Sequence, residues 1–334
     1  MKMIPVISTL VTLSSSLVLS LGASSCGTGQ NNSGSPDSSV PSIVNSNMAR
    51  AAGGVSESFV YDLEHPTSIY KMPEALTEIS GISFHQGDDT QIYAEQDEKG
   101  RLYWLKPGDQ TAKYYDFGKD GDYEDLAFVG EQAVLLKSNG VLYSFDFTPA
   151  ADKEGTPVTG SLQEWKDLVP KGEYEGLFAD AARNQLYLLC KDCKSEDHKK
   201  KVSVYRLDND AGHWVRGAVY HIDVSQISTL VDPTGQDNGK KGKKGKKEKK
   251  VDFKPSALCQ DPLTHQWYVL SSINKMLVVL GTDWQVKAVH TLSRKLYAQP
   301  EGICFDKQHN LYISNEGQLP GEATLLKFAP REQK

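Results

Sequence analysis

A short phrase returns five times along this chain: Glu78-Ile79-Ser80-Gly81-Ile82, Tyr123-Glu124-Asp125-Leu126-Ala127, Tyr174-Glu175-Gly176-Leu177-Phe178, Pro255-Ser256-Ala257-Leu258-Cys259 and Pro300-Glu301-Gly302-Ile303-Cys304. The Glu positions lie 46 residues apart (78 to 124), then 51 (124 to 175), then 81 to Ser256 in the Glu slot, then 45 to Glu301. A period in the forties with strand-like content between the phrases predicts an all-β chain, a β-propeller with one four-stranded blade per repeat.

Within a repeat the strands can be followed. Ile82-Ser83-Phe84, Gln91 to Ala94, Arg101 to Leu105 and Lys113 to Phe117 alternate with Gly, Asp and Pro turns and make one blade. The last repeat runs out of chain before its outer strand. The segment Ser58 to Leu63 is the candidate to fill that gap and close the ring, which removes the free edges of an open array. The reading is five blades, or six if the region from Ile222 to Phe253 holds a degenerate one. The single long spacing contains a run of lysines, Lys240 to Lys250, inside an insertion at about 235–251. Without it and the Lys194 to Lys201 loop, roughly one blade remains.

The ends carry a different message. Residues 1–25 pair a weak positive start with an apolar stretch from Ile4 to Leu21, interrupted by serines and too short for the roughly 20 clean residues of a membrane span. With Ala23-Ser24-Ser25-Cys26 behind it, this segment resembles a bacterial lipoprotein signal. The resemblance implies cleavage before Cys26 and lipidation of its thiol, although Ala23 stands where Leu is usual. Residues 26–57 are rich in Gly, Ser and Asn and read as a flexible tether, leaving 58–334 for the propeller. Gly27-Thr28 after the cysteine, with no Asp, points to the outer membrane, facing the periplasm, with the lipid anchor as the only membrane contact. Within a net charge of −6 the eight lysines from Lys240 to Lys250 read either as an electrostatic arm for phosphate-rich partners or as a solvated loop insertion. The absence of aromatic residues among them, together with export, favours the loop and speaks against a nucleic-acid partner. Nothing requires more than a monomer.

Four segments in order, Glu78 to Ile82, Glu95 to Arg101, Gly118 to Glu124 and Pro300 to Ile303, resemble the SdiA-regulated domain family over residues 58 to 330. The resemblance implies a propeller exported to the cell envelope, with no defined activity attached to the family as a whole.

Chemistry is therefore argued from the repeat. Equivalent slots of successive blades form a ring at one channel mouth, here Glu78, Glu124, Glu175 and Glu301. Carboxylates converging on one axis repel, and Ca²⁺ with its 6 to 8 flexible oxygen ligands suits them. Asp97 and Glu316 are secondary candidates, at either the same or the opposite mouth. The competing reading makes each Glu a latch on backbone N–H groups between blades. Cys190 and Cys193 read as a local disulfide, whereas Cys259 and Cys304 occupy matching packing slots in neighbouring blades. No nucleophile elbow, phosphate loop or zinc-protease pair is present. The preferred function is a non-catalytic, calcium-binding module for an unidentified protein or small molecule. The alternative is a metal-dependent hydrolase of the phytase or lactonase sort.

Overall fold

The computed structural model describes residues 59–147, 155, 158, 161–194, 196–231, 251–320 and 322–331. The leader, Cys26, the tether and the Lys240 to Lys250 run lie outside the described residues.

The chain enters with β1 (Ser68–Lys71) and then repeats a meander of four strands. Blade 1 is β2 (Ile79–Ser83), β3 (Ile92–Gln96), β4 (Arg101–Leu105) and β5 (Lys113–Asp116). Blade 2 is β6 (Tyr123–Val129), β7 (Gln132–Lys137), β8 (Leu142–Asp146) and β9 (Gln163–Trp165). Blade 3 is β10 (Gly172–Asp180), β11 (Gln185–Cys193), β12 (Lys201–Asp210) and β13 (His213–Asp223), followed by α1 (Val224–Val231). Blade 4 is β14 (Ala257–Gln260), β15 (Trp267–Ser271), β16 (Met276–Leu280) and β17 (Val286–Thr291). Blade 5 is β18 (Pro300–Phe305), β19 (Leu311–Asn315) and β20 (Thr324–Phe328), completed by β1 beside β20.

Each blade is a four-stranded antiparallel sheet, and the inner strands touch in sequence from β2 to β6, β10, β14, β18 and back to β2. The fold is a five-bladed β-propeller. No sixth sheet occurs among the described residues.

An N-terminal strand closes the ring, but it is Ser68–Lys71 and not Ser58 to Leu63. The reason lies in what each segment can bury. Tyr61 and Leu63 enter the apolar core between blades 4 and 5 beside Tyr268, Leu277 and Ile313, and Tyr297 Oη donates to Leu63 O at 2.8 Å. The true edge strand leaves Ile69 54% exposed, so its alternation carries a weak apolar signal.

Side chains pack between blades and not around an axial core. Trp267 and Trp284 stack at 4.4 Å, and Tyr220 stacks on Trp284 at 4.9 Å, joining blades 3 and 4 through aromatic faces.

The phrase itself explains how blades meet. A Cβ added to Gly81 would lie 2.6 Å from Asp125 Cα, and one added to Gly176 would lie 2.9 Å from Leu258 N. Glycine is needed for this close approach of consecutive inner strands.

Candidate functional site

The pairing of inner strands sets which residues share a slot. Ile79 pairs with Gln96, Tyr123 with Lys137, Tyr174 with Cys190 and Pro300 with Asn315, and after each the register shifts. The residue in that bulge is Ser80, Glu124, Glu175 or Glu301, and bulges commonly re-aim a side chain. In β14 the pairing is regular and Ser256 stands in the slot. Glu78 thus sits two residues ahead of the slot, which in blade 1 belongs to Ser80.

The antiparallel second strands return to the same mouth. The residues just past their paired ends are Asp97, Ser138, Ser272 and Glu316, and in blade 3 the equivalent residue, Lys191, lies unpaired in the register shift between Cys190 and Asp192. Asp97 and Glu316 therefore share the mouth of Glu124, Glu175 and Glu301.

The serines and one aspartate latch the blades together. Ser80 Oγ donates to Glu124 O at 2.9 Å, Ser256 Oγ to Pro300 O at 3.0 Å and Ser314 Oγ to Ser80 O at 3.0 Å. Between blades 2 and 3, Asp125 Oδ2 accepts from Leu177 N at 2.6 Å while its Oδ1 accepts from Leu126 N. Latching is thus done by Ser80, Asp125, Ser256 and Ser314. Glu95 on β3 does a related task, accepting at 2.6 Å from Gly81 N, a bulge amide.

The three slot glutamates have another role. Burial, reinforced by neighbouring carboxylates, holds Glu124 far above the carboxylate range, with Glu175 and Glu95 the nearest contributors. Burial and the Glu175 charge bring Glu301 to about 7. Glu175 is also raised by burial, against the opposing pull of Lys191, whose ammonium donates to its Oε1. Burial alone would lower the Lys191 ammonium, but Glu175, Glu124 and Glu301 overcome it and the net shift is upward. One lysine is the common counter-charge of three carboxylates.

Lys191 is held there covalently. Cys190 and Cys193 are disulfide-bonded with Cα atoms 6.0 Å apart, and Lys191 lies between them. Asp192 anchors the same loop through Lys254 Nζ at 2.6 Å and His198 Nε2 at 2.9 Å. Pattern reading of Cys-Lys-Asp-Cys attends to the thiols and passes over the lysine they position.

The mouth is electrically lopsided. Between blades 3, 4 and 5 a cavity of about 400 Å³ is lined by Lys191, Lys254, Lys275 and Arg294 as well as Glu175 and Glu301. On the side of blades 1, 2 and 5 the charges are acidic. Burial together with Glu78, Glu98 and Asp122 brings Asp97 to about 6, and burial with Asp97 and Glu78 raises Glu316. On that side the protein leaves two buried oxygens without a donor, Glu95 Oε2 and Asp97 Oδ1, whereas the side chain of Asn315 turns to Leu296 and Thr324. Among the described residues no group of three or more His, Cys, Asp or Glu side chains comes together to hold a metal ion.

Residues 218–320 match the SdiA-regulated family model. The SdiA-regulated match runs from within β13 to just beyond β19, so it includes Ser256, Ser272, Glu301 and Glu316 of the mouth but not Glu124, Glu175 or Lys191. No curated protein matches the chain. Among solved structures, the glutaminyl cyclase of Myxococcus xanthus superposes with a TM-score of 0.51 at 14% identity, covering 81% of this chain and 97% of that one. A luciferin-regenerating enzyme gives 0.46 at 10% identity, covering 79% and 95%. At such identities the likeness to the cyclase concerns the fold alone.

Proposed function

We propose that this propeller is an exported, lipid-anchored binding module of the bacterial cell envelope, which receives a cationic ligand at its acidic half-mouth without transforming it. The observation that carries this reading is the donor-less buried oxygen of Asp97, beside that of Glu95 and flanked by Glu78 and Glu316. Buried acceptors are costly unless a donor meets them, and an ammonium or guanidinium group supplies several at once. Lys191 already serves the other half, which leaves the carboxylates around Asp97 for a ligand. Support for export comes from the leader-like N-terminus and from the Cys190–Cys193 bond, which belongs to an oxidising compartment. No helix among the described residues is long and apolar enough to cross a membrane.

Calcium is the competing occupant, because Glu78, Asp97 and Glu316 repel one another and a divalent ion relieves this as well as an organic cation does. Thermal unfolding of the full chain with arginine amide or with CaCl₂ separates the two. A native-state ligand at 100 times its Kd adds about 2.7 kcal/mol. A rise with arginine amide alone, lost in Asp97→Asn, supports the organic cation. A rise with Ca²⁺ alone supports the metal, and no rise with either overturns the acidic half-mouth as a site.

A second reading, a hydrolase, is favoured by one observation: Glu301 at about 7 faces a cavity carrying four cationic side chains. Turnover of phosphate esters or lactones that disappears in Glu301→Gln supports it, and absence of turnover removes it.

A further inference from the structure

The opposite end of the axis is built from different chemistry. There the inner strands open into a cavity of about 680 Å³ whose lining shares no residue with the ionic mouth. Every blade contributes one aliphatic side chain from the position after its Gly slot: Ile82, Leu126, Leu177, Leu258 and Ile303. The next position is small in four blades, Ser83, Ala127, Cys259 and Cys304, which leaves the axis wide at this level. Apart from Ser83, the polar groups lie at or beyond the ends of the inner strands, and most are engaged, Lys307 with Asp88 at 3.7 Å among them. Arg183 pairs with Asp180 at 2.5 Å, Gln86 donates to Glu131 at 2.9 Å, and Asp306 accepts from Asn310 and Tyr312.

We infer that this axial cavity is a second ligand site, one that takes a compact, uncharged, predominantly apolar small molecule. Its volume falls within the roughly 300–1,000 Å³ of small-molecule pockets, and an apolar lining with few polar groups is their usual make-up. Water lying against the aliphatic ring finds few polar partners there and is readily displaced by an apolar group. A charged ligand is disfavoured because the aliphatic lining offers no compensation for the lost hydration. The two free thiols, Cys259 and Cys304, face the same space and are buried. Burial holds both thiols well above their ordinary range, so they form a soft apolar wall and react with electrophiles only slowly.

The test uses the full chain and the neutral fluorophore N-phenyl-1-naphthylamine. The expected result is saturable binding to one site, displaced by 1-decanol at least tenfold more effectively than by decanoate or decylammonium. Ser83→Trp, a change at a partly exposed lining position, should reduce affinity at least tenfold while leaving the melting temperature near wild type. As a readout on the unaltered protein, bound decanol should slow alkylation of Cys259 and Cys304 by N-ethylmaleimide, followed by peptide mass. Absence of saturable binding, unchanged binding in a folded Ser83→Trp variant, or equal displacement by the charged analogues overturns the inference. If Ser83→Trp fails to fold, thiol protection decides: protected thiols sustain the site and unprotected thiols remove it.

Discussion

Lys191 donates its ammonium to Glu175 from within the four-residue loop that the Cys190–Cys193 bond closes, and the same ammonium acts on Glu124 and Glu301. A covalent clamp therefore fixes the charge that lets three enclosed carboxyl groups share one mouth. The consequences can be measured separately.

Removing that charge should destabilise the protein in a pH-dependent way. Lys191→Met is expected to cost about 2 to 4 kcal/mol at pH 8, because it leaves Glu175 and its neighbours without their counter-charge. At pH 5 the penalty should shrink, since the carboxyl groups then take up protons. Urea unfolding at both pH values checks this, and an equal loss at each would show that Lys191 matters through packing alone.

The wild-type protein should become less stable as pH rises from 5 to 8. Asp97 lies at about 6 against an ordinary 3.8, and Glu301 at about 7 against 4.5. A carboxyl whose folded pKa is raised binds its proton more tightly in the folded state. Its contribution is intact below the unfolded pKa and is lost as pH climbs through the folded one. Glu301, the more enclosed of the two, sets a loss on the order of 2 kcal/mol, and the more exposed Asp97 adds less after screening. For a chain of this size the melting temperature should fall roughly 4 to 8 °C. A flat profile would mean that both groups titrate near their ordinary values.

The blade latch between β6 and β10 predicts a loss of different character. Asp125→Ala strips the acceptor from both Leu126 N and Leu177 N, buried amides that then go unpaired. The expected cost is about 2 to 4 kcal/mol, seen as a lower urea midpoint. Ser80→Ala and Ser256→Ala, each removing a single neutral bond, should cost about 1 kcal/mol.

Close approach, and not backbone conformation, should make Gly81 intolerant of a methyl group. Gly81→Ala places a Cβ 2.6 Å from Asp125 Cα, so the neighbouring inner strand must shift. A destabilisation of about 1 to 3 kcal/mol is expected from overpacking. Gly130→Ala, with nothing within 4 Å but a φ of +58°, should be milder and of backbone origin.

Opening the Cys190–Cys193 bond should affect the mouth more than the fold. The loop it closes is short, so chain entropy accounts for about 2 kcal/mol at most. In the Cys190→Ser, Cys193→Ser variant the midpoint of urea unfolding should move modestly. The pH profile should steepen, because Lys191 is no longer held against Glu175.

The repeat was legible because five phrases at blade spacing survive in the primary sequence, and one sheet starts at each of them, although the strand that closes the fifth was placed too early in the chain. The slot assignment was legible in four blades and slipped in the first. There the Glu of the phrase stands ahead of its Gly by three positions instead of one, and a spacing rule cannot see the bulge that puts Ser80, not Glu78, in line with Glu124. The latches were hidden for a related reason. Ser80, Asp125 and Ser256 reach the neighbouring blade, and which groups they meet depends on a registry between blades that no local pattern encodes. Lys191 was invisible as a site residue because two of its three carboxylate partners come from β6 and β18 of other blades, far from it in sequence.

The pairing of β1 with β20 joins the two ends of the described chain in one blade. That arrangement makes closure of the ring a non-local event. Until β20 has left the ribosome and met β1, the first four blades form an open arc whose terminal strands present unpaired edges, a state prone to self-association. Ring closure therefore requires a long-range encounter between the beginning and end of the propeller, and a chain truncated before Thr324 should be prone to self-association and not a slightly smaller disc.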